Sequence, residues 1–154
     1  MPNLKLTASV KAPIHDVYEY VTLYGQDGPL NLKSFHEHYG EIISESHNQF
    51  VIREDVRRYP DDDPELVTWY CSFRYPNFRK MEAVDSKWAH RQDSFEVEGK
   101  NTKWTIRWNT HIGGLRGVIQ YLIFHLFGHR GIRRDLMNPT TNHFDDIGLV
   151  GQSD

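Results

Sequence analysis

The chain lacks most of the features that would take it out of the ordinary globular class. Cys71 is the one cysteine in 154 residues, so no intrachain disulfide can form, and nothing in the sequence asks for an oxidising compartment. Excess charge is missing too: the formal net charge is -3, with both signs interspersed. That disfavours a nucleic-acid groove and gives no field that argues for an acidic membrane as the main partner. No transmembrane segment is expected, because the apolar stretch from Val118 to Phe127 is broken by Gln120 and His125 and falls well short of the roughly 20 residues a bilayer span needs. The opening "MPNLKLTASVKAP" has no charged leader followed by an apolar block and a cleavage site, so a cytoplasmic location is expected. Repeats and low-complexity tracts are absent, and "PDDDPE" reads as a solvated turn. A chain of this length supports one domain with a real core, expected over 1–150, with a frayed tail at 151–154.

Several patterns are present. "LKLTASVKAP" alternates through Leu4, Leu6, Ala8 and Val10 and stops at Pro13, which predicts a half-buried strand. Ile14, Val17, Tyr18 and Val21 follow at helical spacing, with Gly25 as the expected C-terminal glycine. "PLNLKSFHEHYG" predicts a second short helix ending at Gly40. From Gly40 to Gly113 six β-rich runs are separated by short connectors, "HN", "PDDDP", "PN", "SK" and "GKN", so antiparallel neighbours are expected. Trp104, Ile106, Trp108 and Ile112 alternate with Lys103, Arg107, Asn109 and His111, the signature of a sheet with one buried and one wet face. The stretch "GGLRGVIQYLIFHLFGHRGIRR" at 113–134 predicts a long helix that Asn138-Pro139 ends or kinks, with a short restart beyond it.

The residues "ASVKAPIHDVYEYV", "YGEIISE" and the glycine pair before the long helix give this order a resemblance. The chain resembles the START-related (SRPBCC) superfamily, which includes polyketide cyclases and dehydratases, pollen allergen-like proteins and lipid-transfer domains. The resemblance covers nearly the whole chain as order and spacing, without a catalytic signature. It implies an α+β helix-grip fold: a curved seven-stranded antiparallel sheet around a long C-terminal helix, two short helices after the first strand, and a hydrophobic cavity between sheet and helix. No catalytic residue carries over.

At about 100° per residue, Leu115, Val118, Leu122, His125, His129, Ile132 and Leu136 share one helix face, which is expected to look at the sheet. His125 and His129 then serve either as ligand contacts, acid and base, or as satisfied core histidines; no metal site is expected, since no third ligand motif is visible. Phe124 and Phe127 fall on the opposite side. They suit packing under the C-terminal segment, a homodimer seam, or a partner or membrane surface with Arg116, Arg130, Arg133 and Arg134 nearby.

On the sheet the inward candidates are Phe50, Ile52, Glu54 and Val56; Val67, Trp69, Cys71 and Phe73; and Trp104, Ile106 and Trp108. Glu54 faces a pocket with a raised pKa, or sits at a rim paired with an arginine. The tryptophans suit a ring-bearing ligand or simply fill the core. Phe95 and Val97 set a parity that also turns Asp93 and Arg91 inward, whereas a bulge would turn Trp88 and His90 inward. His36 and His38 lie near the cavity mouth or on a surface helix, and Cys71 reads as a buried, inert thiol.

Three functions are consistent with these residues. The first is binding of a hydrophobic small molecule (lipid, isoprenoid, polyketide or aromatic) by Glu54, Trp69, Phe73, Trp104, Trp108, Leu122, His125 and His129, with no cofactor. The second is a cyclase or dehydratase-like enzyme in which an inward histidine and carboxylate move protons. The third is a protein-interaction domain acting through the outward helix face, with a homodimer through Phe124 and Phe127 as one form.

Overall fold

A computed structural model describes residues 3–56, 61, 63–84, 90–109 and 114–151. Strand β1 (Asn3–Val10) leads into α1 (Ile14–Thr22), a two-residue hairpin of β2 (Tyr24–Gly25) and β3 (Gly28–Pro29), and α2 (Leu32–Tyr39). Six strands follow: β4 (Glu41–Glu45), β5 (Gln49–Val56), β6 (Glu65–Arg74), β7 (Phe78–Ala83), β8 (His90–Glu98) and β9 (Asn101–Asn109). The sheet is seven-stranded and antiparallel, in the order β1-β9-β8-β7-β6-β5-β4. This is the α+β architecture that the resemblance implied.

The alternation read from the sequence sets the buried face. Leu6 pairs with Ile106 and Ala8 with Trp104 across β1 and β9, and all four are buried together with Phe50, Ile52, Val67, Trp69, Cys71 and Phe73. On β8, Asp93 and Phe95 are buried as their parity implied, but Val97 is exposed near the end of the hairpin. Trp88 and His111 lie outside the described residues.

The short helices close one end of this face. Helix α1 buries Val17 and Tyr18 and ends at Leu23, whose left-handed φ of 55° lets its N–H reach the Glu19 carbonyl at 2.9 Å. The expected glycine stop at Gly25 is therefore displaced: Gly25 belongs to the β2–β3 hairpin. Asn31 caps α2, accepting from the Ser34 amide at 3.0 Å. Gly40 ends it with φ 75°, at a place where a Cβ would stand 2.8 Å from the Arg53 carbonyl oxygen. Only glycine satisfies both the backbone angle and the closeness.

The C-terminal helix runs on through Pro139 instead of ending before it. Helix α3 (Gly114–Ile123) passes into a π turn (Phe124–Gly128), then α4 (His129–Ile132), a second π turn (Arg133–Met137) and α5 (Asn138–Gly151). The second π turn ends just before Asn138-Pro139, where the widened ladder absorbs the hydrogen bond that proline cannot donate. Each π turn also takes in one extra residue, which shifts the face of the turns that follow it, while α3 ahead of both exposes its apolar residues Leu115, Val118, Ile119, Leu122 and Ile123. Met137, Thr140 and Phe144 are buried, whereas the predicted inward residues Leu115, Val118, Leu122, His125 and Leu136 are exposed. Contact with the body is concentrated in α5. Phe144 and His143 meet Tyr20 of α1, with ring centroids 5.4 and 4.2 Å apart. Just upstream, the Arg133 guanidinium donates to the Thr7 carbonyl of β1 at 2.7 Å.

Among the described residues no helix is long and apolar enough to cross a membrane.

Candidate functional site

A cavity of about 420 Å³ lies between the sheet, the two short helices and the C-terminal helix. Val21 and Leu23 from the end of α1, Tyr20, and Leu136 and Thr140 from the C-terminal helix form its walls; Arg79, Arg91 and Trp104 come from β7, β8 and β9, and His38 from α2.

The floor is a buried charge cluster centred on Asp93. Arg79 donates to Asp93 Oδ2 from Nε at 3.1 Å and from Nη2 at 2.8 Å. Arg91 donates to Oδ2 from Nε at 3.0 Å and to Oδ1 from Nη2 at 2.9 Å. The Trp104 indole N–H completes the set, reaching Oδ1 at 3.1 Å. Burial works against ionisation of Asp93, but the two guanidiniums outweigh it and hold its carboxyl down at about 2. Burial also opposes the charge on Arg79, and Asp93 and Tyr39 keep it protonated.

Arg79 ties the cluster to the short helices. Its Nη1 donates to the Tyr39 hydroxyl at 2.7 Å and to the Val21 carbonyl at 3.4 Å, and Tyr39 in turn donates to the Thr22 carbonyl at 3.1 Å. The ends of α1 and α2 are thus fastened to β7 through one guanidinium. His38, exposed on the same helix, has its pKa lowered by partial desolvation and by the nearby charges of Arg79 and Arg91.

The structure distributes the sequence-derived site residues over several places. Trp104 lines the cavity. Phe73 is packed among Tyr24, Phe35 and Phe50, with centroids 4.5 to 5.8 Å away, and borders a second pocket of about 290 Å³ with Tyr24, Gln26, His47, Asn48, Arg74 and Tyr75. Trp69 is buried on β6, and its indole nitrogen meets no acceptor at hydrogen-bond geometry among the described residues. Glu54 is half-buried on the neighbouring strand, and burial pushes its carboxyl up. Trp108 packs partly buried against the core. Leu122 and His125 are exposed and His129 is half-buried. Phe124 and Phe127 lie in the first π turn, and their side chains are outside the described residues. Burial pushes the Cys71 thiol up to about 12, which keeps it protonated at neutral pH.

Sequence reasoning missed Arg79 and Tyr39 and left Arg91 and Asp93 as one of two alternatives. A signal existed for Asp93, since a carboxylate on the same parity as Phe95 must meet a cation or a pocket. Arg79 follows Phe78 at the start of its strand and carries no local sign of burial.

No family model matches this sequence, and no curated protein does. Solved structures do match. One half of the di-domain ARO/CYC BexL from the BE-7585A biosynthetic pathway superposes with a TM-score of 0.52 at 13% identity, covering 92% of this chain and 50% of that one. A Cytophaga hutchinsonii protein gives 0.51 at 11% identity, covering 92% and 93% of the two chains. A Thermus thermophilus protein gives 0.50 at 13% identity, covering 90% and 88%. Similarity at this level speaks to architecture alone, and it is the architecture anticipated from the order of elements: the chain has a helix-grip fold.

Proposed function

We propose that this protein binds a small molecule, apolar over most of its surface, in the cavity between the sheet and the C-terminal helix. The observation that carries this reading is the cavity itself. Its volume of about 420 Å³ falls within the size range of small-molecule sites, and its wall joins the apolar Val21, Leu23, Trp104 and Leu136 to polar side chains able to orient a ligand. The di-domain ARO/CYC BexL shares the architecture.

The acid-base alternative has less support. Glu54 sits beside Trp69, His125 is exposed on the helix, and neither lines the cavity. Asp93, the carboxylate at the floor, is committed to five donors.

Titration calorimetry of the intact protein with 1-octanol, in the native chain and in Leu136→Trp, tests the binding reading. Leu136 is partly exposed at the cavity wall, so an indole is tolerated there and occupies the space. Saturable uptake by the native chain that disappears in the variant supports the proposal. Absence of saturable uptake in the native chain, or equal uptake by the filled variant, overturns it.

A further inference from the structure

The cavity floor holds a charge that its own residues do not cancel. Arg79 and Arg91 both pair with the single carboxylate of Asp93. Among the described residues, the rest of the lining, from Tyr20 to Thr140, includes no acid. Two positive charges against one negative leave an excess of one.

The two arginines are not equivalent. Arg79 is the inner one, its side chain 3% exposed, with Nε and Nη2 on Asp93 and Nη1 on Tyr39 and Val21. Arg91 is 23% exposed, reaches Asp93 through Nε and Nη2, and borders the cavity. A guanidinium carries five donors in a planar fork, and among the described residues Arg91 uses Nε and Nη2, so its Nη1 side is open to an acceptor arriving from the cavity. An incompletely compensated cation in a partly desolvated site favours an incoming anion over a neutral molecule of the same shape.

We infer that the cavity takes a ligand with one negative charge, a carboxylate on an apolar body, and that Arg91 receives that carboxylate. This rests on the cavity-binding reading above and names the chemical class of its ligand. A single charge matches the excess of one, whereas a dianionic phosphate ester would replace it with an excess of the opposite sign. Trp104 touches both sides of the event: its ring lines the cavity and its N–H is bonded to Asp93. Arg91 therefore confers specificity and leaves the apolar walls to supply general affinity.

The experiment compares octanoate with 1-octanol by titration calorimetry at neutral pH, using the intact protein and Arg91→Gln. Octanoate is expected to bind about tenfold or more tightly than 1-octanol to the native chain, as a charge-assisted hydrogen bond to a partly buried cation warrants. In Arg91→Gln, which keeps the Arg79–Asp93 pair, that preference is expected to fall to about twofold or less. Equal affinities in the native chain overturn the charge inference and leave the cavity reading standing. Failure of both compounds to bind overturns both. A preference that survives in folded Arg91→Gln overturns the role of Arg91. Should Arg91→Gln fail to fold by circular dichroism, the Trp104 indole N–H resonance of the native chain, assigned with Trp104→Phe, decides. Displacement by octanoate and not by octanol at matched occupancy supports the inference; equal displacement by the two sinks it.

Discussion

Arg79 and Asp93 stand directly opposite each other on β7 and β8, with Arg79 Nη2 2.8 Å from Asp93 Oδ2 and both side chains almost fully buried. A buried ion pair of this kind contributes little net stability relative to an apolar pair of similar volume, yet removal of one partner leaves the other charge without compensation. Asp93→Ala strands two guanidiniums and is expected to destabilise the fold by about 3–5 kcal/mol. The double variant Arg79→Met, Asp93→Leu is expected to recover most of that loss, because Arg91 retains access to solvent. Urea denaturation of both variants measures the difference; a double variant as unstable as the single one would mean that the pair holds more than its own charge.

The same pair sets an acid limit. The Asp93 carboxyl is held down at about 2 in the folded chain, below its ordinary value of 3.8, because Arg79 and Arg91 outweigh the opposing effect of burial. A carboxylate with a depressed folded pKa contributes stability that is fully present above the unfolded value and is lost as pH falls toward the folded one. The expected loss from this group is about 2 kcal/mol, spread between roughly pH 4 and pH 2. Denaturation midpoints collected across that window should fall more steeply in the native chain than in the Arg79→Met, Asp93→Leu variant, which lacks the group.

The C-terminal helix buries side chains in its later turns and exposes those of α3, so two residues of similar size on it differ in burial. Met137 is fully buried, and Leu122 is 50% exposed. Met137→Ala is expected to cost about 2–4 kcal/mol, the range for truncating a large core side chain. Leu122→Ala should cost less than about 0.5 kcal/mol, as for a surface position. Thermal or urea unfolding of the two variants checks the assignment, and comparable losses would place the α3 face against the body.

The fold was legible because it is written in period and punctuation. The alternation at Leu4, Leu6, Ala8 and Val10, the Ala-Pro before Ile14, and the six short-linked runs after Gly40 each map onto an element with a one-sided interior. The site was less legible. Arg79 and Asp93 are fourteen positions apart and meet only because β7 and β8 pair in one particular register, which local sequence does not specify. The helix face failed for a different reason: a step of about 100° per residue says which side chains share a face but not whether that stretch of helix lies on the body, and in α3 the apolar residues Leu115, Val118, Ile119, Leu122 and Ile123 are all exposed. Trp104 was found because it lies on a strand with clean alternation, and Tyr39 was missed because its partner, Arg79, was.

His38 provides the cavity with a response to pH. It lies on α2 next to the Tyr39 ring, 4.6 Å away centroid to centroid, and borders the cavity together with Arg79 from β7, Arg91 from β8 and Tyr20 from α1. Desolvation first, then the charges of Arg79 and Arg91, lower its pKa below that of an ordinary histidine. A carboxylate bound at Arg91 introduces a negative charge that favours the protonated imidazole, so by linkage protonation of His38 must favour the carboxylate. The affinity for the octanoate anion, corrected for the fraction of ligand protonated at each pH, is therefore expected to rise as pH falls from about 7 toward about 5. The rise is expected to be roughly threefold, because His38 is exposed and solvent screens the interaction. In His38→Gln the affinity should be flat over the same interval, while 1-octanol should show no pH dependence in either protein. A native profile as flat as that of the variant would place the bound carboxylate too far from α2 for His38 to sense it.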